Sequence, residues 1–236
     1  MFFFRYLCTA LYKKRYKDDM RKRLICLCLL CLCVGVRAQE LQKQGRVVDD
    51  LVPKGWEHTE ETGDLNKDGI ADLVVVSTPD FKENTKTRDD GFVYNFNQPL
   101  LAVYFGTAEG KMQLWRQYDQ VIPARPDEYV SIDAGLTITE KGVLRISLET
   151  FASMGGWGSE NCNFSYRYQD GDFYLIGKEY RSMSRNMGEM ETTSENYLTW
   201  RRQVVKENVF DENVPKKERW TKLPKKPLEK LGKPLQ

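Results

Sequence analysis

The chain has 236 residues and a formal net charge of +2, and this charge is distributed unevenly. Residues 1–38 contain nine Lys or Arg and two Asp or Glu, so residues 39–236 carry a net charge of −5. A chain whose larger part is acidic lacks the basic surface that nucleic-acid binding requires. We therefore expect no nucleic-acid partner.

Residues 1–38 are predicted to be a signal peptide. The basic cluster RKR at 21–23 precedes an apolar stretch of 13 residues at 24–36, which is too short to span a bilayer comfortably. Ala38 fits the small-residue rule for cleavage directly after it. Met20 precedes the basic cluster, so residues 1–19 are either a misread start or a long basic leader. We expect an exported protein, periplasmic or extracellular, with no stable membrane span once this segment is removed.

The remaining chain is expected to fold on its apolar core alone. Five of the six cysteines lie within residues 1–38, so Cys162 has no partner for an intrachain disulfide or a thiolate metal site. The length of residues 39–236 suits one domain of ordinary size. We predict a β-rich domain at 39–215 and a basic C-terminal segment at 216–236, which contains eight Lys or Arg and two Glu.

The acidic loop, residues 64–72, is the strongest functional motif in the chain. It lies within the sequence GDLNKDGIADLVVV, and Gly69 stands at its sixth position, where a sharp turn is needed. Oxygen-bearing groups occupy positions 1, 3, 5, 7 and 9, as a calcium loop requires. These candidate ligands are the side chains of Asp64, Asn66, Asp68 and Asp72 and the backbone carbonyl of Ile70.

The acidic loop resembles one family of calcium loops and differs from another. An EF-hand has a bidentate Glu at position 12, where this chain has Val75. The loop is instead similar to the DxDxDGxxD loops of FG-GAP and integrin-like repeats, which hold the ion at the mouth of a β-hairpin. Together with VPKGW at 52–56 and YQDGDFYLIG at 168–177, it also resembles a group of small secreted proteins of Bacteroides-type bacteria.

This resemblance implies export and a structural calcium ion, but no activity. Position 3 of the acidic loop is Asn66 rather than Asp, so three carboxylates remain and weaker binding is expected. The alternative interpretation is a solvated turn, because Asp, Asn and Gly are also common turn residues.

The rest of the chain favours antiparallel β-structure. Residues 73–77 form a continuous apolar run that predicts a first core strand buried on both faces, directly after the acidic loop. Residues 78–99 are polar and long for a structureless loop, which favours a functional or mobile segment. Further strands are predicted at 100–105, 111–118, 136–139, 143–150, 163–168, 173–176 and 197–205. We predict a mostly β single domain, with an α+β arrangement as the alternative.

No set of residues identifies a reaction. His58 is the only histidine, and neither it nor Cys162 lies in a recognised nucleophile motif, so we assign no catalytic residue. A hydrolase with two acidic catalytic residues stays open, because the sequence does not give the separation of two carboxylates.

Two segments could bind a partner. Trp157, in the glycine-rich sequence MGGWG, would contact a glycan or an envelope protein together with the 78–99 loop, or else fill the end of the sheet. The basic segment 216–236 would either face an anionic surface or pack Trp220 and its leucines against the sheet.

Overall fold

The structure is a computed structural model that describes residues 40–153 and 158–236. The predicted signal peptide and Trp157 therefore lie outside the described residues. Residues Leu41–Gln236 form one compact unit. In this described part of the chain, no helix is long and apolar enough to cross a membrane.

The fold is mostly β, and its strands form two antiparallel sheets and one small hairpin. A short helix α1 spans Val48–Leu51, and a 3-10 turn spans Lys82–Asn84. The strands, in chain order, are β1 Gln44–Gly45, β2 Glu57–Gly63, β3 Asp72–Thr78, β4 Thr85–Thr87, β5 Val93–Asn95, β6 Leu100–Gly106, β7 Met112–Tyr118, β8 Val130–Ile138, β9 Val143–Ala152, β10 Gly158–Gln169, β11 Asp172–Ser184, β12 Glu189–Asn196, β13 Arg201–Asn208 and β14 Lys217–Lys222.

The two sheets differ in how the chain builds them. The five-stranded sheet has the order β1-β7-β6-β3-β2, so β2–β3 and β6–β7 are hairpins while β1–β7 and β3–β6 join parts of the chain that are distant in sequence. The seven-stranded sheet has the order β14-β13-β12-β11-β10-β9-β8, in which every strand pairs with its neighbour in sequence. Strands β4 and β5 form a separate hairpin.

The main core lies between the two sheets. Val74, Val76 and Val103 of the five-stranded sheet belong to the same buried cluster as Ile146 and Phe164 of the seven-stranded sheet. A second cluster covers the other face of the five-stranded sheet, where Val75 and Ala102 pack with Leu51 of α1. Strands β3 and β6 are thus buried on both faces, which confirms the interpretation of the apolar run at 73–77 and explains the similar run in β6.

Several predicted elements need correction. Residues 78–99, which are predicted to be a functional or mobile segment, contain the 3-10 turn and the β4–β5 hairpin. The last predicted strand, 197–205, is wrong at its start, since residues 197–200 form a turn and β13 begins at Arg201. The prediction missed strands β2, β12 and β14, whose sequences are polar and show no clear apolar alternation.

The C-terminal strap, residues 223–236, runs back across the sandwich. Leu231 and Leu235 are buried in the main core. The N–H of Leu231 donates to the carbonyl of Phe173 (2.9 Å), and the N–H of Leu235 donates to the carbonyl of Val121 (3.0 Å). The leucines therefore pack as one interpretation of this segment expects, whereas Trp220 on β14 stays 54% exposed.

A buried carboxylate fastens the strap to the sheet. Asp172 is buried, and its Oδ2 lies 3.1 Å from Lys230 Nζ while its Oδ1 lies 3.4 Å from Arg116 Nη1. Burial acts to raise the pKa of Asp172, but the hydrogen bonds from Lys230 and from the N–H of Phe173, with the charge of Arg116, outweigh it. The pKa of Asp172 is lowered as a result.

This lowered pKa predicts an acid-dependent loss of stability. The contribution of Asp172 is present above its unfolded pKa and is lost as the pH falls through its lowered folded pKa. We expect a loss of about 1 kcal/mol below pH ~4, since both cationic partners are largely exposed. Urea unfolding between acidic and neutral pH should show this slope in the wild type and a reduced slope in Asp172→Asn. The matched control is Asp170→Asn, on the exposed part of the same turn; a control with the same reduced slope would contradict the assignment.

Candidate metal site

The acidic loop is the connection of a β-hairpin. Strands β2 and β3 pair antiparallel, and Gly63 opposite Asp72 is the pair at the loop end of their register. Leu65 enters the main core and is 1% exposed, which anchors the loop between the two sheets. The side chains at the loop's first, third and fifth positions are left at the surface.

Asp64 closes the first turn of the acidic loop. Its Oδ1 accepts from the N–H groups of Lys67 (2.6 Å) and Asp68 (3.2 Å), and its Oδ2 accepts from the N–H of Gly69 (2.9 Å). Lys67 and Gly69 both have positive φ, at 64° and 85°. Because few residues other than glycine adopt this conformation readily, Gly69 has the turn role that the sequence predicts.

Asn66 and Asp68 contact each other at the rim of the loop. Asn66 Nδ2 donates to Asp68 Oδ2 (3.0 Å), while the N–H of Asp68 donates to Asn66 Oδ1 (3.0 Å). The N–H of Ile70 donates to Asp68 Oδ1 (2.8 Å). Asp68 is exposed and Asn66 is half-buried.

Asp72 differs from the other loop acids because it is fully buried. Its Oδ2 accepts from the N–H groups of Leu65 (2.8 Å) and Asn66 (3.3 Å), and its Oδ1 accepts from the N–H of Gly106 (3.0 Å). Burial raises the pKa of Asp72, the three backbone N–H groups oppose that rise, and the nearby charge of Asp68 adds to it. The site thus holds a carboxylate whose charge is incompletely compensated.

Two glycines from other hairpins fit against the acidic loop. A Cβ added at Gly106 would lie 2.2 Å from the carbonyl oxygen of Ala71, and one added at Gly142 would lie 2.7 Å from the carbonyl oxygen of Asp64. Because both contacts are with backbone, neither glycine can be replaced without moving a strand or the loop. The turns after β6 and β8 therefore fix the position of the loop from two sides.

The chemistry of the loop suits calcium, although its side chains are engaged with one another and with the backbone. Carboxylate and amide oxygens are the donors that calcium prefers, and each carboxylate oxygen has a second lone pair besides the one that accepts an N–H. Among the described residues, no Lys or Arg pairs with Asp64, Asp68 or Asp72. In the same part of the chain, no three acidic, His or Cys side chains are gathered as a metal site requires. Binding would therefore need Asn66 and Asp68 to turn toward the ion.

Within the part of the chain that the structure describes, His58 and Cys162 lie on different sheets. His58 lies on the edge strand β2 of the five-stranded sheet, and Cys162 lies on β10 of the other sheet, packed against the main core. Burial raises the pKa of the Cys162 thiol, which opposes the thiolate form that a nucleophile needs. Trp157, the predicted ligand contact, lies outside the described residues.

One groove on the seven-stranded sheet contains two carboxylates, those of Glu179 and Glu195. Glu179 accepts from the hydroxyl of Ser194 (3.1 Å), and Glu195 accepts from the hydroxyl of Tyr197 and from Arg202 Nε (2.6 Å). Both acids thus have hydrogen-bond partners within the sheet. The groove therefore does not single out an acid–base pair, and a hydrolase stays a prediction.

Comparison with known proteins assigns neither a family nor a function to this chain. The chain matches no family profile, no curated protein and no solved structure. The resemblance of the acidic loop to FG-GAP loops therefore stays a prediction, and the geometry of the site is the basis for any function.

Proposed function

We propose that this chain is an exported β-rich protein that binds one calcium ion in the acidic loop, with Asp64, Asn66, Asp68, Asp72 and the Ile70 carbonyl as ligands. The observation that supports it most is the buried Asp72, whose negative charge meets only backbone N–H groups and lies near a second carboxylate. A divalent cation would neutralise this cluster. The proposal assigns no catalytic residue.

The role of the ion would be structural. The acidic loop begins directly after β2 and ends where β3 begins, and β3 is an interior strand of the doubly covered sheet, between β2 and β6. An ion held by both ends of the loop would fix the register of that hairpin. Extracellular calcium modules bind at roughly 0.1–1 mM, which is the range expected for a loop with three carboxylates.

The first test is thermal unfolding of residues 39–236 with and without calcium. At about 10 mM calcium, binding in this range should add about 1.4–2.7 kcal/mol to the free energy of unfolding. For a domain of this size that corresponds to a rise in Tm of about 3–10 °C. Magnesium should give a smaller rise, because it demands octahedral geometry and gives up its water reluctantly.

The variant Asp68→Ala tests which residues bind the ion. Asp68 is exposed and supports only local hydrogen bonds, so the variant should melt close to the wild type in chelator and well below it in calcium. Asp80→Ala, which removes a partly exposed carboxylate after β3 that pairs with Lys82, is the control and should respond to calcium like the wild type. Equal melting of Asp68→Ala and the wild type in calcium would rule out the site.

A second candidate function is binding of a glycan or an envelope protein by the 78–99 loop with Trp157. It is favoured by a groove of about 420 Å³ between this loop, β2 and β8, beside which Phe92 and Val93 are 53% and 47% exposed. Aromatic side chains at the rim of a groove are common interaction residues. A glycan array with the wild type and Trp157→Ala separates this function from a purely structural calcium protein.

A further inference from the structure

The C-terminal strap encloses a cavity of about 410 Å³ that is separate from the acidic loop. Phe164, Tyr166 and Leu175 of the seven-stranded sheet form one part of its lining, and the turn between β12 and β13 adds Tyr197 and Trp200. The strap supplies the rest of the lining, which includes Lys226, Lys230 and Lys233. The volume lies in the range of sites that hold small molecules.

The Tyr166 hydroxyl is an unused hydrogen-bonding group in this lining. Tyr166 is 4% exposed overall, and no hydrogen bond to its hydroxyl exists within residues 40–153 and 158–236. Among these residues the buried hydroxyl without a partner is that of Tyr118, so the Tyr166 oxygen itself reaches the open space of the cavity, where it can donate to a bound molecule. Burial also raises the pKa of Tyr166, which keeps the hydroxyl protonated as a donor.

Trp200 is held toward the cavity in a strained backbone conformation. Its φ is 55°, in the left-handed region that a bulky side chain rarely adopts. The N–H of Leu223 donates to its carbonyl (2.8 Å), which joins the turn to the start of the strap. The ring lies 5.9 Å from that of Tyr197, whose hydroxyl donates to Glu195. Strain of this kind persists where surrounding structure enforces it, and it is found at ligand-binding positions.

The charges around the cavity favour an anion. The lining contains Lys178, Lys226, Lys230 and Lys233 but only one acidic side chain, Glu229, and Lys178 donates to the backbone oxygen of Gln236 in the same lining. Lys230 is paired with a carboxylate outside the lining, that of Asp172. Lys226 and Lys233 share Glu229 at 3.9 Å and 3.8 Å, both long for ion pairs. At least one positive charge is therefore left without a carboxylate partner.

We propose that this cavity binds a small cyclic carboxylate bearing hydroxyl groups, of the size and chemistry of a hexuronic acid. The ring would stack on Trp200, as the apolar face of a sugar stacks on an aromatic side chain. The carboxylate would meet Lys226 and Lys233, and Tyr166 would donate to a ring or hydroxyl oxygen. The proposal is independent of the acidic loop.

The test is a titration of the purified protein with glucuronic acid, followed by the indole N–H signals of its tryptophans in NMR spectra. We expect a saturable shift of the Trp200 signal with a Kd on the order of 1 mM, and a much weaker response to glucose at the same concentration. Raising the salt concentration should weaken the binding of glucuronic acid, because the lysines are largely solvent-exposed. No saturable shift, or equal shifts with glucose, would overturn the proposal.

Three variants test which residues of the cavity bind the ligand. Trp200→Gly relieves the positive φ, so it should fold and should bind at least tenfold more weakly. Tyr166→Phe removes only the hydroxyl and should weaken binding severalfold without loss of the fold, as judged by its melting. Trp220→Ala, which removes an exposed tryptophan of β14 outside the cavity, should bind like the wild type. Wild-type affinity in both Trp200→Gly and Tyr166→Phe would contradict the assigned site.

Discussion

Replacement of Asp72 by Ala should destabilise the protein by about 3–5 kcal/mol, even without calcium. The substitution leaves the N–H groups of Leu65, Asn66 and Gly106 without their acceptor, and each buried donor left unpaired costs about 1–3 kcal/mol. Movement of the loop would recover part of that cost. Urea unfolding in chelator measures the effect free of any contribution from the ion.

The comparison with Asp68→Ala separates the two roles of the loop acids. Asp72→Ala should already be destabilised in chelator and, because Asp72 is also a proposed ligand, further below the wild type in calcium, whereas Asp68→Ala should be destabilised only in calcium. Asp72→Asn keeps one acceptor oxygen, but its side-chain NH2 group would face a backbone N–H that also donates. The stability of this variant should therefore fall between those of the wild type and Asp72→Ala. A wild-type unfolding midpoint for Asp72→Ala would mean that the three hydrogen bonds do not stabilise the fold.

Replacement of Leu231 by Ala should cost about 2–5 kcal/mol, the usual range for truncating a buried leucine. Leu231 is 4% exposed and belongs to the main core, although it lies in a Lys-rich and Pro-rich segment. The cavity left behind would be bounded by both sheets, and the strap would lose its central anchor. Chemical unfolding of the variant measures the loss.

Leu198→Ala is the matched control for the strap. Leu198 lies in the turn before β13 and is 47% exposed, so its truncation should change the free energy of unfolding by less than about 0.5 kcal/mol. Similar losses for the two leucine variants would indicate that the strap does not contribute to the core. A large loss for Leu231→Ala alone would establish the strap as part of the domain.

The sequence predicts those strands whose burial leaves an apolar pattern. Strands β3 and β6 are covered on both faces and read as continuous apolar runs, and β9 alternates because one face meets the core. Strands β12 and β14 have no such pattern: of the described side chains in β12, β13 and β14, only Val205 is buried. A strand that is largely uncovered on both faces shows no alternation of apolar and polar residues in its sequence.

For the candidate site, the sequence predicts the loop but not what surrounds it. Spacing alone selects Asp64, Asp68 and Gly69, because turn and ligand positions are local. The contact of Asp72 with the N–H of Gly106 joins residues 34 positions apart and depends on the pairing of β3 with β6. The sequence also does not predict the positive φ of Trp200, because this residue lies within the predicted strand 197–205.

The strap also bears on the order in which the chain can fold. Leu231 and Leu235 fill part of the space between the sheets, yet they follow every described strand in the sequence. The strands can pair before these leucines dock, and until then the gap they fill exposes apolar surface to water. Such partly closed states are prone to aggregate. The last step of folding would therefore be the docking of the strap, and mutations that slow it should lower the yield of folded protein more than its final stability.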